Sequence, residues 1–204
     1  MLLFLDVISP LPEFFIIEDN KLILQRKIID NPNHKLSDNI FQIYSKINND
    51  LNLTKNLKKI VFTIGPGSYT SLRVGAAFMS AFNISKNLMF YPFTILDIIK
   101  SHSNDIKLQD LAVFISSANN QEFMCYVNNN KELEYKKIEN NEYDIPLNIR
   151  TIFYNNMKIK IELNNTKMIK FYFIDEILKN INKLQFQKNT IIKPIYISNN
   201  KILN

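Results

Sequence analysis

Three short apolar runs open the chain: residues 2–8 (LLFLDVI), 13–18 (EFFIIE) and 21–29 (KLILQRKII). Each is rich in β-branched and aromatic side chains, which predicts successive strands with short connections. Asp19-Asn20, between the second and third, is a good hairpin pair, because both residues tolerate a left-handed backbone. The period then changes. From His34 to Leu51 the apolar positions are Leu36, Ile40, Ile43, Ile47 and Leu51, with Phe41 and Tyr44 widening the stripe. That spacing predicts a helix over about 34–51, capped by Asn33. Residues 60–64 read as a buried strand, 71–85 as a second helix, 88–91 as a strand and 94–101 as a third helix.

The order β-β-β-α-β-α-β-α predicts an α/β fold, with a mixed sheet and helices packed against it. It resembles the ribonuclease-H-like plan of the actin and sugar-kinase superfamily, an analogy at the level of fold. The second half is harder to read. Residues 111–115, 122–127 and 133–138 look like strands of a second sheet, and 173–181 like a helix. Residues 139–170 are polar and fit neither period. The expected division is a first lobe over 1–102, carrying the glycine motif and the helices, and a smaller, abbreviated lobe over 103–204.

Composition excludes some classes. A hydrophobic share of 46% and a charged share of 22% are ordinary for a globular protein. No apolar run reaches the roughly 20 residues of a membrane span. The apolar start is cut off by Asp6 and has no basic leader, so it reads as a buried strand rather than a signal peptide. The single cysteine, Cys125, forms no internal disulfide and no zinc site by itself, which points to a reducing, cytoplasmic compartment. The net charge of +6 comes from lysines scattered among asparagines, with arginine only at 26, 73 and 150. This looks like drift toward A/T-rich codons. The basic balance is compatible with RNA contact. No basic run carries interleaved aromatics, however, so a solvated surface in a biased alphabet is the plainer reading.

That bias makes glycine informative. An average chain of this length carries about 14 glycines. This one has 3, namely Gly65, Gly67 and Gly75, all in GPGSYTSLRVG. Pro66-Gly67 suits a type II turn, with positive φ at Gly67. Ser68 or Thr70 can cap the helix that follows. Gly75 lies inside that helix, where it costs about 1 kcal/mol relative to alanine. Ser71, Gly75, Ala76, Ala77, Ser80 and Ala81 make the helix thin, and Arg73 is the only charged residue from Ile60 to Ser85. Such a helix is either fully buried or half-buried against a partner. The loop itself is either an anion cradle at a helix N-terminus or a structural turn. It lacks the lysine of a phosphate-binding loop and the third glycine of a dinucleotide fingerprint,.

GPGSYTSLRVG resembles the GPGSFTGLRVG-type signature of the TsaB (YeaZ) family, degenerate paralogues of TsaD. Asp6 matches the Asp of that family's opening strand, His34 the His that opens its first helix, and Tyr91-Pro92-Phe93-Thr94-Ile95-Leu96 its next strand and turn. Glu122 and Pro194-Ile195-Tyr196 fit its later Glu-Val-Tyr and Pro-x-Tyr elements. The resemblance covers residues 1 to about 127 and is thin afterwards. It implies a non-catalytic scaffold for installing threonylcarbamoyl on the tRNA adenosine beside the anticodon. TsaD would be its partner in a heterodimer, the ATPase TsaE a further partner, and tRNA an indirect one. A homodimer is open, and no membrane is involved.

The resemblance also implies where partner and site residues fall. Pairing through the first two helices would use Leu36, Ile40, Ile43, Tyr44, Ile47, Ser71, Gly75, Met79 and Phe82. The motif loop would comprise Gly65, Pro66, Gly67, Ser68, Thr70 and Arg73. TsaD-type proteins bind a metal through His-x-x-x-His. The matching positions here are Ile95 and Ile99, which cannot bind one. His34 and His102 stand far apart and read as surface or capping residues. In the second lobe Ser117-Ala118-Asn119 replaces the relatives' Asp-Ala-Arg. No cofactor and no metal are therefore expected. Asp6 is either a residual nucleotide-site acid or a strand-end residue tying down the adjacent loop. The rival function is a small ATP-binding phosphotransferase or ATPase of the same superfamily.

Overall fold

The computed structural model describes residues 1–31, 34–85, 88–139, 142–156, 166–188, 191–198 and 201–203. The chain opens with β1 (Leu2–Asp6), β2 (Glu13–Glu18) and β3 (Lys21–Lys27). Asp19 and Asn20 both take positive φ in the last turn, as a tight hairpin requires. Helix α1 (Leu36–Leu51) ends at Asn52 in the left-handed conformation, and Asn tolerates that region. Its expected cap, Asn33, lies outside the described residues. One turn, α2 (Leu53–Asn56), leads into β4 (Lys59–Thr63). Then come α3 (Tyr69–Ser85), β5 (Met89–Phe93) and α4 (Ile95–His102). Thr94 and Asp97 form a capping box at the start of α4, satisfying amides that a helix start leaves free.

The second half contributes β6 (Leu111–Ser116), β7 (Glu122–Val127), β8 (Leu133–Ile138), β9 (Thr151–Tyr154) and β10 (Lys167–Lys170). Helix α5 (Phe173–Asn180) and the short strands β11 (Gln187–Lys188), β12 (Tyr196–Ser198) and β13 (Lys201–Leu203) follow.

The first sheet has the order β11-β5-β4-β1-β2-β3. Strands β1, β2 and β3 form an antiparallel meander, and β4 and β5 continue parallel on the other side of β1. The second sheet, β10-β9-β6-β7-β8, repeats that plan with β6 in the place of β1. This is the ribonuclease-H-like arrangement, built twice.

One core runs through both halves. Ile95, Ile98 and Ile99 of α4 join Leu111, Val113 and Ile115 of β6 and Phe173 and Ile177 of α5. Strand alternation sends Ala112 and Phe114 to the opposite face, into a smaller cluster with Met124, Tyr126, Ile149 and Ile152. Each fully buried Leu, Ile or Phe contributes roughly 1.5–3 kcal/mol. The expected division at 102/103 needs correcting at the far end. Strand β11 pairs with β5 in the first sheet, and Ile195 N–H donates to Ile64 O at 2.6 Å. The C-terminal segment therefore returns to the first lobe.

Candidate functional site

The glycine loop leaves β4 at Thr63 and enters α3 at Tyr69. The positive φ falls on Gly65, at +117°, not on Gly67 as the expected type II turn requires, and the Gly65–Pro66 peptide is cis. A Cβ on Gly65 would lie 2.6 Å from the backbone oxygen of Ile195. Conformation and close approach both demand glycine there. On Gly67 a Cβ would meet Ile8 at 3.4 Å, an ordinary contact. Pro66 and Ser68 are buried, Thr70 is exposed, and the Ser68 carbonyl accepts from Leu72 N–H at 2.9 Å.

The side chains after the loop hold the chain's own C-terminal segment. The Tyr69 ring packs 4.5 Å from that of Tyr196, and the Arg73 guanidinium lies 4.5 Å over Tyr69. Burial raises the Tyr196 phenol above its ordinary value, and Arg73 works against that. The sequence singles out Arg73 in the motif loop and Tyr196 in the Pro-x-Tyr match, but Tyr69 and Tyr196 are too far apart in the chain for any local pattern to join the three.

Gly75 also has an internal reason. A Cβ there would sit 2.8 Å from Phe62 and 2.9 Å from Val7. The thin part of α3 lets the helix press onto its own sheet rather than onto a partner. The apolar stripe of α1 needs the same correction. Leu36, Ile40, Tyr44 and Ile47 are buried within the chain, as are Ser71 and Met79 of α3. Ile43 and Phe82 are half-buried. Between the helices Tyr44, Phe78 and Phe82 pack edge to face at 5.0–5.5 Å, the geometry aromatic quadrupoles prefer. The outer surface of this pair carries Phe41, 68% exposed, with Thr70, Ala77, Ser80 and Ala81 also exposed.

Asp6 is buried at the mouth of a cleft of about 240 Å³ that Glu13, Lys27, Asn155 and Lys170 also line. Its Oδ1 accepts from Ile8 N–H at 2.9 Å and Ser9 N–H at 3.2 Å. Burial raises its carboxyl above the usual value, against the hydrogen bonds from Ser9 and Ile8. Thr63 Oγ1 accepts from Val7 N–H at 3.0 Å. In the second sheet Ser116 occupies the position of Asp6: Asp6 pairs with Glu13, and Ser116 with Glu122. Asn155 plays the part of Thr63, accepting from Ser116 N–H at 2.8 Å and donating to Ser116 O at 2.9 Å. Ser117 is buried, and its hydroxyl donates to Gln121 O at 3.2 Å.

Ile95 and Ile99 are fully buried core residues of α4. Their aliphatic side chains do not fit a metal. His34 is exposed. His102 is not a surface or capping residue. Its Nε2 lies 3.0 Å from Oε1 of buried Glu176, and its ring stacks 4.1 Å from Phe153. Ser101 Oγ donates to the same carboxylate at 2.7 Å. These contacts lock α4 to α5. Free Cys125 is buried, which pushes its thiol well up. Among the described residues no helix is long and apolar enough to cross a membrane.

A family model described as TsaD, tRNA N6-adenosine threonylcarbamoyltransferase, matches residues 30–200. No curated protein matches the sequence. Among solved structures, YeaZ from Pseudomonas aeruginosa superposes with a TM-score of 0.62 at 10% identity, over 96% of this chain and 99% of that one. A second structure is described as an uncharacterized protein with similarity to peptidase YeaZ from Pseudomonas aeruginosa. It superposes with a TM-score of 0.60 at 11% identity, over 97% and 99%. At such identities the likeness establishes the shared fold.

Proposed function

This chain belongs to the TsaD family, and on that premise we propose that it serves tRNA threonylcarbamoylation as a non-catalytic pairing subunit of the TsaB kind. It would dock on TsaD through the outer surface of α1 and α3. One observation carries the reading. The two helix positions where the resemblance places metal-binding histidines are Ile95 and Ile99, both wholly buried. A helix given over to packing in this way has no donor to offer a metal. Asp6 supports the same conclusion, because its Oδ1 already serves two backbone amides.

The pairing surface is the exposed remainder of the two helices, with Phe41 as its apolar anchor and Ile43 and Phe82 partly available. Leu36, Ile40, Tyr44, Ile47, Ser71, Gly75 and Met79 act from behind, by fixing the helices to the sheet. TsaE would join through the complex, in the cytoplasm, and the same surface would support a homodimer of the isolated chain.

Co-expression with the cognate TsaD followed by size-exclusion chromatography tests the pairing. Co-elution is expected, and separate elution of two folded proteins would overturn it. The cleft beside Asp6 keeps an ATPase as the rival reading. Calorimetry with ATP and magnesium is expected to give no binding heat. Turnover by the isolated chain would defeat the non-catalytic assignment.

A further inference from the structure

Lysines gather at one edge of the first sheet. The registers of β4, β5 and β11 put Lys59, Met89 and Lys188 in one row. Residues in a row point to one face, so two strand spacings place the lysines about 10 Å apart along the backbone. Lys59 Nζ lies 4.7 Å over the ring of Phe186. Two open depressions flank residues 181–188. One, of about 600 Å³, is lined by Lys100, Lys183 and the amides of Asn104, Asn180 and Gln185. The other, of about 470 Å³, is lined by Lys58, Lys59 and Asn182, with Glu18 and Asp19.

All five lysines are exposed, and none takes part in an ion pair among the described residues. Asp97, in the first depression, is already engaged by the hydroxyls of Tyr91 and Thr94 at 2.6 and 2.8 Å. The remaining acids, Glu18 and Asp19, sit only in the second depression.

We propose that this edge is a direct tRNA contact, its lysines on phosphates and the neighbouring amides on sugar and base edges. The inference rests on the tRNA reading above and replaces an indirect relation to tRNA with a direct one. The lysines belong to separate elements and do not converge on a point, so they match a string of phosphates rather than a single anion. An acidic protein is the poorer fit. Its interface would need an exposed apolar centre, whereas the apolar side chains here, Tyr91, Leu96, Leu184 and Phe186, are half-buried, Phe93 is buried, and Lys59 covers Phe186. The edge shares no residue with the outer surface of α1 and α3 proposed for TsaD.

The test is fluorescence anisotropy with a labelled, unmodified tRNA transcript, using the full chain alone and with TsaD, across a salt series. The triple variant Lys59→Glu, Lys183→Glu, Lys188→Glu is expected to weaken tRNA binding about ten-fold or more. The slope of log affinity against log salt should fall by about 2–3. A control triple with the same charge change elsewhere, Lys107→Glu, Lys131→Glu, Lys167→Glu, is expected to weaken binding less than about three-fold. Equal effects of the two triples, or none from either, overturn the proposal. So does loss of TsaD co-elution with tRNA binding intact, which would assign the edge to a protein. The milder set Lys59→Gln, Lys183→Gln, Lys188→Gln should move binding in the same direction should the reversed set fold poorly. Failure to pair with TsaD would sink the proposed function, while titration of the chain alone would still report on this edge.

Discussion

The two sheets share a strand order and differ in what covers them. In the first, the 16-residue α1 links β3 to β4 and the 17-residue α3 links β4 to β5. In the second, the link from β8 to β9 holds no helix among its described residues. The strand ends differ in the same direction. Asp6 ends β1 with a buried carboxyl, and Ser116 ends β6 with a hydroxyl. In both sheets a polar side chain just past the strand beside them, or at its end, holds the backbone: Thr63 in one, Asn155 in the other. The fold thus needs its strand ends tied but does not need them charged. The α1 layer has no helical counterpart among the described residues of the β8–β9 link, and the second sheet packs instead on α4 and α5.

The largest expected effect comes from breaking the tie between the halves. The C-terminal segment crosses the glycine loop at Ile195 and continues into the β12–β13 hairpin beside β8. Gly65→Val would force a β-branched residue into a φ of +117° and drive its Cβ into the Ile195 backbone. A loss of about 3 kcal/mol or more is expected in urea unfolding. Gly67→Ala, two residues away, should stay within about 1 kcal/mol. If the two variants unfold alike, the segment yields freely and does not join the halves.

Next in size is the contrast between the exposed apolar residues of the two lobes. Phe41, on α1, is 68% exposed, and Leu147, in the helix-free link, is 95% exposed. Phe41→Ala should weaken TsaD binding about ten-fold, as loss of an aromatic anchor does, with stability changed by less than about 0.5 kcal/mol. Leu147→Ala should change neither. Titration of each variant with TsaD separates the cases, and equal losses would remove the distinction between the lobes.

Much of this was legible in the sequence because periodicity reports burial. The meander β1–β3, the helices α1 and α3 and the three strands after residue 110 follow directly from it. Burial does not say what does the burying. The stripe Leu36, Ile40, Tyr44 and Ile47 has helical spacing, the resemblance makes it a partner face, and it is core. Gly75 reads as room for another helix and is room for Phe62 and Val7. Long-range contacts leave no local pattern at all. His102 and Glu176 are 74 residues apart. The conformation of Gly65 is shaped by contact with Ile195, so Pro66-Gly67 suggests a common turn that does not form. Strand β11 is two residues long, below what any period can register.

The smallest expected effect sharpens the comparison of strand ends. Burial raises the Asp6 carboxyl in the folded chain above its ordinary value of 3.8. The folded state therefore holds the proton more tightly than the unfolded one. That contribution is complete below the unfolded value and is lost as pH rises through the folded value; above it, the buried charge is a standing cost. Asp6→Asn keeps an oxygen for the Ile8 and Ser9 amides and removes the charge. Thermal unfolding at pH 7 should rise by about 2–4 °C, and the fall in stability between acidic and neutral pH should flatten. A clear drop in Tm at pH 7 would mean that the carboxylate itself is needed at this strand end. The first lobe would then depend on a charge that the second, with Ser116, does without.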